Sequence, residues 1–283
     1  PKTPKPLSPS FCKFSLFCNL CFKTNFSLLT KIILVFLILM DLFKKTSNPA
    51  FNNYFFGDNR TSSKTMSVTG IFIKSMLSIA IIVIISIGMW RLHASGANIK
   101  WYSLGGMLAA IVISIIISFR QHWAHILVPL YAIAKGFFLG AMTVYAHAQF
   151  PNLPYQAIGI TMVTFIVMLL LYQMRIIVVT KKLRSVIITA ATSIFVVYII
   201  SWILGFFGIK VFIWGTSWPA IAFNILAAIF ASLSLLLDFD YIERHKNKSP
   251  KYKEWIATWG LLVTLVWLYM EVLRLMRKLA IRF

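Results

Sequence analysis

The residues best suited to chemistry in this chain are its acids, because they are so few. Seven Asp and Glu stand against 28 Lys and Arg. They are Asp41, Asp58, Asp238, Asp240, Glu243, Glu254 and Glu271, and five of the seven fall in the last 46 residues. Three crowd into the run Leu-Leu-Leu-Asp238-Phe-Asp240-Tyr-Ile-Glu243. Neighbouring carboxylates can hold a proton or a hard cation between them. Negative charge at the C-terminal end of an apolar helix also opposes the helix dipole. Either a solvated loop with Arg244 and the following lysines offsets that cost, or the acids have a task.

Other ionisable residues lie inside apolar stretches. Lys135 sits at the centre of one, where a charge costs at least ~2.5 kcal/mol and its stem does not easily reach water. It needs a polar cavity, an acid partner or loss of its charge. An ion-path role, a structural ion pair and a tolerated variant all stay open. Beside it run Ala132, Gly136 and Gly140, small residues at every fourth position, which form a close-packing stripe on a helix. Lys135 therefore faces inward. Lys74, one turn into the first apolar stretch, is read as snorkelling to the surface. Glu271 has a local partner in Arg274, three residues on. Arg120 ends the second stretch on the same side as Asp238, which allows an Arg120–Asp238 latch.

Enzymatic and metal chemistry find little support. His122 and His125 are spaced i, i+3 but have no third ligand near in sequence. Cys18-Asn-Leu-Cys21 is a CxxC without a partner pair. No nucleophile, zincin or phosphate-loop motif is present, so no catalysis, metal or cofactor is expected.

The elements that carry these residues follow from composition. Hydrophobic residues make up 59% of the 283 and charged residues 12%, against roughly 25% charged in soluble domains. Seven stretches are long enough to cross ~30 Å of hydrocarbon. They are Gly70–Trp90, Trp101–Phe119, His125–Ala146, Tyr155–Met174, Val186–Phe207, Ser217–Leu237 and Trp255–Leu273. They are apolar all round and lack barrel alternation, so they are helices. Trp90, Trp101, Trp218 and Trp255 stand at their ends, as interfacial rings do. The fold class is an all-α membrane bundle in contact with lipid.

The net charge of +21 describes topology. Basic residues lie in clusters between apolar stretches, which excludes nucleic acid as the natural partner. From Met40 onward, fourteen fall on the side of the segment preceding Gly70 and seven on the other, so the positive-inside rule makes the N-terminus cytoplasmic. Arg274, Arg277, Lys278 and Arg282 then form a basic tail, 274–283, on the wrong side, unless the seventh segment re-enters. Residues 1–39 precede the first methionine, hold all three cysteines, and read as an upstream extension. Residues 40–69 read as a cytoplasmic segment, and 70–273 as the transmembrane domain.

The stretches SNPAF (47–51), TMSVTG (65–70), VPLYAIAKGFFLGAM (128–142), FASLSLLLDFDYIE (230–243) and PKYKEW…GLLVTLVWLYMEVLRL (250–275) resemble the bacterial branch of the Bax inhibitor-1/YccA family, also called the transmembrane Bax inhibitor motif family. The resemblance implies seven helices with the seventh central. It implies, for some members, a pH-sensitive calcium leak in a bacterial plasma (inner) membrane, and for others modulation of a membrane protease or of cell-death machinery. It also implies a gating pair of aspartates. Asp238 matches the first. The position of the second falls on apolar residues near Leu262–Thr264, with Glu271 further along. Lys135 is a second departure, where related sequences carry an acid. The expected pathway residues are Asp238, Asp240, Glu271, Arg120 and Lys135. Their convergence on one cavity would favour a leak. Their separation would favour a non-conducting protein that binds another membrane protein.

Overall fold

The chain divides into two units, Pro1–Arg60 and Thr61–Phe283. The structure, a computed structural model, describes residues 65–209 and 211–282, all in the second unit. The upstream extension, its CxxC motif, Asp41, Asp58 and most of the 40–69 segment lie outside the described residues.

Seven helices fill the described part, each long and apolar enough to cross a membrane. They are α1 (Val68–Ala94), α2 (Lys100–Phe119), α3 (Ala124–Gln149), α4 (Leu153–Gln173), α5 (Lys181–Phe206), α6 (Trp218–His245) and α7 (Lys253–Arg282). Short 3-10 turns, Gln121–Trp123 and Phe212–Trp214, precede α3 and α6. Ser67 and Thr180 cap α1 and α5 by accepting from Gly70 N and Leu183 N. Pro154 and Pro219 occupy first turns, where a missing N–H costs nothing. Gly96, at φ +82°, closes α1: its N–H donates to His93 O, and Ala97 N to Leu92 O.

Two sequence boundaries shift. The sixth helix does not stop at Leu237 but continues two turns to His245. The seventh runs to Arg282 rather than Leu273, so the basic tail is helix. An apolar count ends where polar residues begin, whereas the backbone stays helical as long as those residues find partners. The thirty residues of α7 form one uninterrupted helix, ~45 Å long at 1.5 Å per residue. Its first turn lies beside the start of α1, where Met66 N donates to Ser249 O at 2.8 Å and Asn247 N to Met66 O at 3.0 Å. Its last turn reaches the start of α6, where Arg282 donates to Thr216 O. The re-entrant alternative is therefore set aside.

The helix α7 packs against α1, α3, α4 and α6, and Tyr198 of α5 reaches it by a hydrogen bond. It is the most buried of the spans, the central place the sequence reading gave it. Helix α3 is held between α1 and α2. The small-residue stripe makes this possible. A Cβ on Gly136 would stand 2.7 Å from Ile85 Cβ, and one on Gly140 2.8 Å from Met89 Cβ. Ala132 is fully buried. On the opposite contact, a Cβ on Gly106 of α2 would stand 2.7 Å from Ala134 O. Backbones this close gain dispersion contacts that lipid tails do not offer.

Adding one methyl group therefore separates α1 from α3. Gly136→Ala and Gly140→Ala should each lower stability by about 1–3 kcal/mol, the usual cost of overpacking. Gly159→Ala, with nothing within 4 Å of its added carbon, should be neutral or slightly stabilising. Thermal unfolding of the three variants in one detergent measures the difference.

Candidate functional site

Each described acid has a defined place, and together they form separate clusters along the bundle rather than one cavity.

At the end where α1 and α7 begin, the Glu254 side chain is 1% exposed and forms an ion pair with Lys74. Ser67 donates to it through its backbone N (2.9 Å) and its hydroxyl (3.2 Å). Gly70 makes room: a Cβ there would stand 2.6 Å from a Glu254 oxygen. Lys74 therefore does not simply snorkel to the surface. It ties α1 to α7, and its Nζ also lies 5.0 Å from the Trp255 ring centroid. Sequence reasoning missed this pair because 180 residues separate its partners.

Asp240 ties α6 to α5. Arg184 reaches its Oδ2 at 2.5 Å, and Arg244, one turn along α6, reaches Oδ1 at 2.8 Å. The latch from an arginine to this acidic run thus exists with a different pair. Arg120 is exposed at the end of α2, with its guanidinium 5.9 Å from the Trp123 ring centroid. No described ion pair joins it to Asp238. Helix continuation to His245 also removes the dipole argument at Asp238, which lies seven residues before the helix end. Arg244 and His245 occupy the last turn instead, where positive charge is favoured.

Glu271 is fully buried just past the midpoint of α7. Its Oε2 accepts from Tyr198 OH at 2.8 Å and Asn224 Nδ2 at 2.9 Å. Its Oε1 accepts from Trp267 Nε1 and Arg274, both at 3.1 Å. Four donors fill its acceptor positions, leaving none for a mobile cation. The i, i+3 partnership with Arg274 is the one read from sequence. Next to it, Lys278 donates to Asn224 Oδ1, to Ile213 O at 2.5 Å and to Ala220 O at 3.2 Å. Arg282 lies 4.1 Å from the Trp218 ring centroid. Three of the four basic residues that seemed misplaced by the topology rule thus have partners within the protein.

Lys135 is half-buried on α3, with Nζ 5.5 Å from the Tyr131 ring centroid and 5.6 Å from that of Phe138. Aromatic faces offer a cation part of what water would. No carboxylate forms an ion pair with it among the described residues. His125 Nδ1 contacts His122 O, and the His122 ring lies 4.7 Å from that of Tyr252. No group of three or more metal-binding residues occurs among the described residues.

Asp238 is the exception among the acids. Its Oδ2 accepts from Thr264 Oγ1 of α7 at 2.5 Å. Beside it is Gly260, where a Cβ would stand 3.8 Å from Oδ1. Asp240, Glu243, Glu254 and Glu271 all have a cationic partner, whereas Asp238 has none among the described residues. Thr264 has a second option. Its hydroxyl also lies 3.1 Å from Leu261 O and 3.3 Å from Gly260 O. A hydroxyl carries one hydrogen, so it donates either to Asp238 or to its own helix.

A family model described as "Bax inhibitor 1 like" matches residues 48–281. The chain belongs to the Bax inhibitor-1 family. No curated protein matches it individually. In this Bax inhibitor-1 family member Thr264, a neutral donor, faces Asp238. It lies in the segment, near Leu262–Thr264, where the resemblance implies a second acid.

The clusters differ in what their loss costs. Glu271→Gln leaves buried donors unmatched beside Arg274 and should destabilise by about 3–5 kcal/mol. Glu243→Gln breaks only the exposed pair with Lys246 and should cost between about zero and 1 kcal/mol. Denaturation midpoints of the two variants in the same micelles check the contrast.

Proposed function

We propose that this Bax inhibitor-1 family member is a multi-pass protein without enzymatic chemistry that passes cations, calcium foremost, through a slow proton-dependent leak. The resemblance supports placing it in a bacterial plasma (inner) membrane, and the fourteen-to-seven split of basic residues supports a cytoplasmic N-terminus. The observation that carries the reading is the setting of Asp238, an acid inside the bundle whose described partner is a neutral hydroxyl on the central helix. The ionised carboxylate holds α6 to α7 through a charge-assisted bond, roughly twice as strong as a neutral one. On protonation the bond becomes neutral and Thr264 is free to donate to Leu261 O. The α6–α7 contact loosens, and the balance shifts toward the conducting state. Asp240 and Glu271 have no part in the pathway, since each is fixed in its own cluster.

A second reading is supported by that same separation. Asp238, Arg120, Lys135 and Glu271 each have different partners among the described residues. This favours a non-conducting protein that binds and restrains another membrane protein, such as a protease.

Calcium flux into liposomes containing the purified protein distinguishes the two. The leak reading expects wild-type flux to rise on acidification. Asp238→Asn, which mimics the neutral acid, should give high flux at every pH. Thr264→Val, which removes the donor, should raise flux at neutral pH. Background flux for all three, together with a stoichiometric membrane partner on crosslinking, would support the second reading instead.

A further inference from the structure

A cavity of about 430 Å³ lies between α1, α3, α4 and α7, in the half of the bundle away from Glu254. Its size falls within the ~300–1,000 Å³ of ligand pockets. Helices α1 and α4 form its two lips and make no substantial contact with each other. Val83, Ile87, Tyr155 and Ile158 on those lips are exposed, and in a membrane that exposure is to hydrocarbon. The back wall is Leu139 of α3 and Leu265, Val266 and Tyr269 of α7.

Most polar atoms of the lining are already engaged. Ser86 donates to Gly136 O, Thr143 to Gly140 O, Thr161 to Ala157 O, and Trp90 Nε1 to Thr143 Oγ1. The Tyr269 hydroxyl is buried without a hydrogen-bond partner among the described residues. Beyond that one group the lining offers little to a polar ligand and would hold water poorly. It does suit hydrocarbon. At the outer rim, Trp90, His147 and Tyr155 form an aromatic cluster, with Trp90 4.6 Å from His147 and 6.3 Å from Tyr155, centroid to centroid. Rings with polar edges mark the headgroup layer. Depth, side opening, apolar walls and amphipathic rim all match one occupant.

We propose that this cavity is a binding site for a single acyl chain of a membrane lipid, with the chain against Leu139, Leu265 and Tyr269 and the headgroup beside Trp90, His147 and Tyr155. The proposal stands independently of any leak activity.

The test uses the full chain in nanodiscs of phosphatidylglycerol and phosphatidylethanolamine, doped with a phosphatidylglycerol carrying a photoreactive diazirine in one acyl chain. After illumination, peptide mapping locates the adducts. The proposal expects labels on back-wall residues, Leu139, Leu265 and Tyr269, as well as on outward residues such as Phe72 and Val163. Ser86→Phe and, separately, Ile158→Phe should each abolish the back-wall labels and leave the outward ones. Two independent filling variants guard against misfolding, and retained outward labelling reports that each is inserted. Labels confined to outward residues in the wild type would overturn the proposal.

Discussion

A charge held in hydrocarbon must be matched where it stands, and this constraint organises the bundle. Solvent does not reach the middle of a membrane to screen a carboxylate, so each buried acid recruits donors from neighbouring helices. Glu254 binds α7 to α1 through Lys74 and Ser67. Asp240 binds α6 to α5 through Arg184. Glu271 gathers Tyr198 of α5, Asn224 of α6, and Trp267 and Arg274 of its own helix. On α7 these ties fall at its start, Glu254, and just past its middle, Glu271. Between them, at Asp238 and Thr264, the link is between an acid and a neutral group. The central helix is thus held by charged ties on either side of a weaker link.

The remaining packing has no such charges and relies on shape. Helix α3 approaches α1 through Gly136 and Gly140 and α2 through Gly106, contacts too close for larger side chains. This explains why a lysine at 135 is tolerated beside the stripe: its stem lies among Tyr131 and Phe138, which face the charge with their rings. Burial of a lone cation is still costly, and the aromatic faces offset only part of it.

How much was legible in the sequence depended on range. The helices were readable because their signal is local: long apolar runs separated by polar connectors. The Gly136 and Gly140 stripe and the Glu271–Arg274 pair were readable for the same reason, since their spacing is one helical turn. The ends of α6 and α7 were misplaced because hydropathy stops at Asp238 and Arg274, while partners on other helices keep those turns folded. The Lys74–Glu254 and Arg184–Asp240 ties were not readable at all. Their members lie 180 and 56 residues apart, and only packing brings them together. The expected Arg120–Asp238 latch had the correct chemistry and the wrong pair. That a threonine hydroxyl on α7 pairs with Asp238 also required coordinates.

The proposed leak rests on Asp238 changing its protonation within the bundle. Difference infrared spectroscopy of the reconstituted protein tests it most directly, because a protonated carboxyl has a C=O stretch of its own. The account predicts that such a band grows as pH falls, is absent in Asp238→Asn, and shifts in frequency in Thr264→Val. A band that persists unchanged in Asp238→Asn, or no band at any pH at which the protein stays folded, would contradict it.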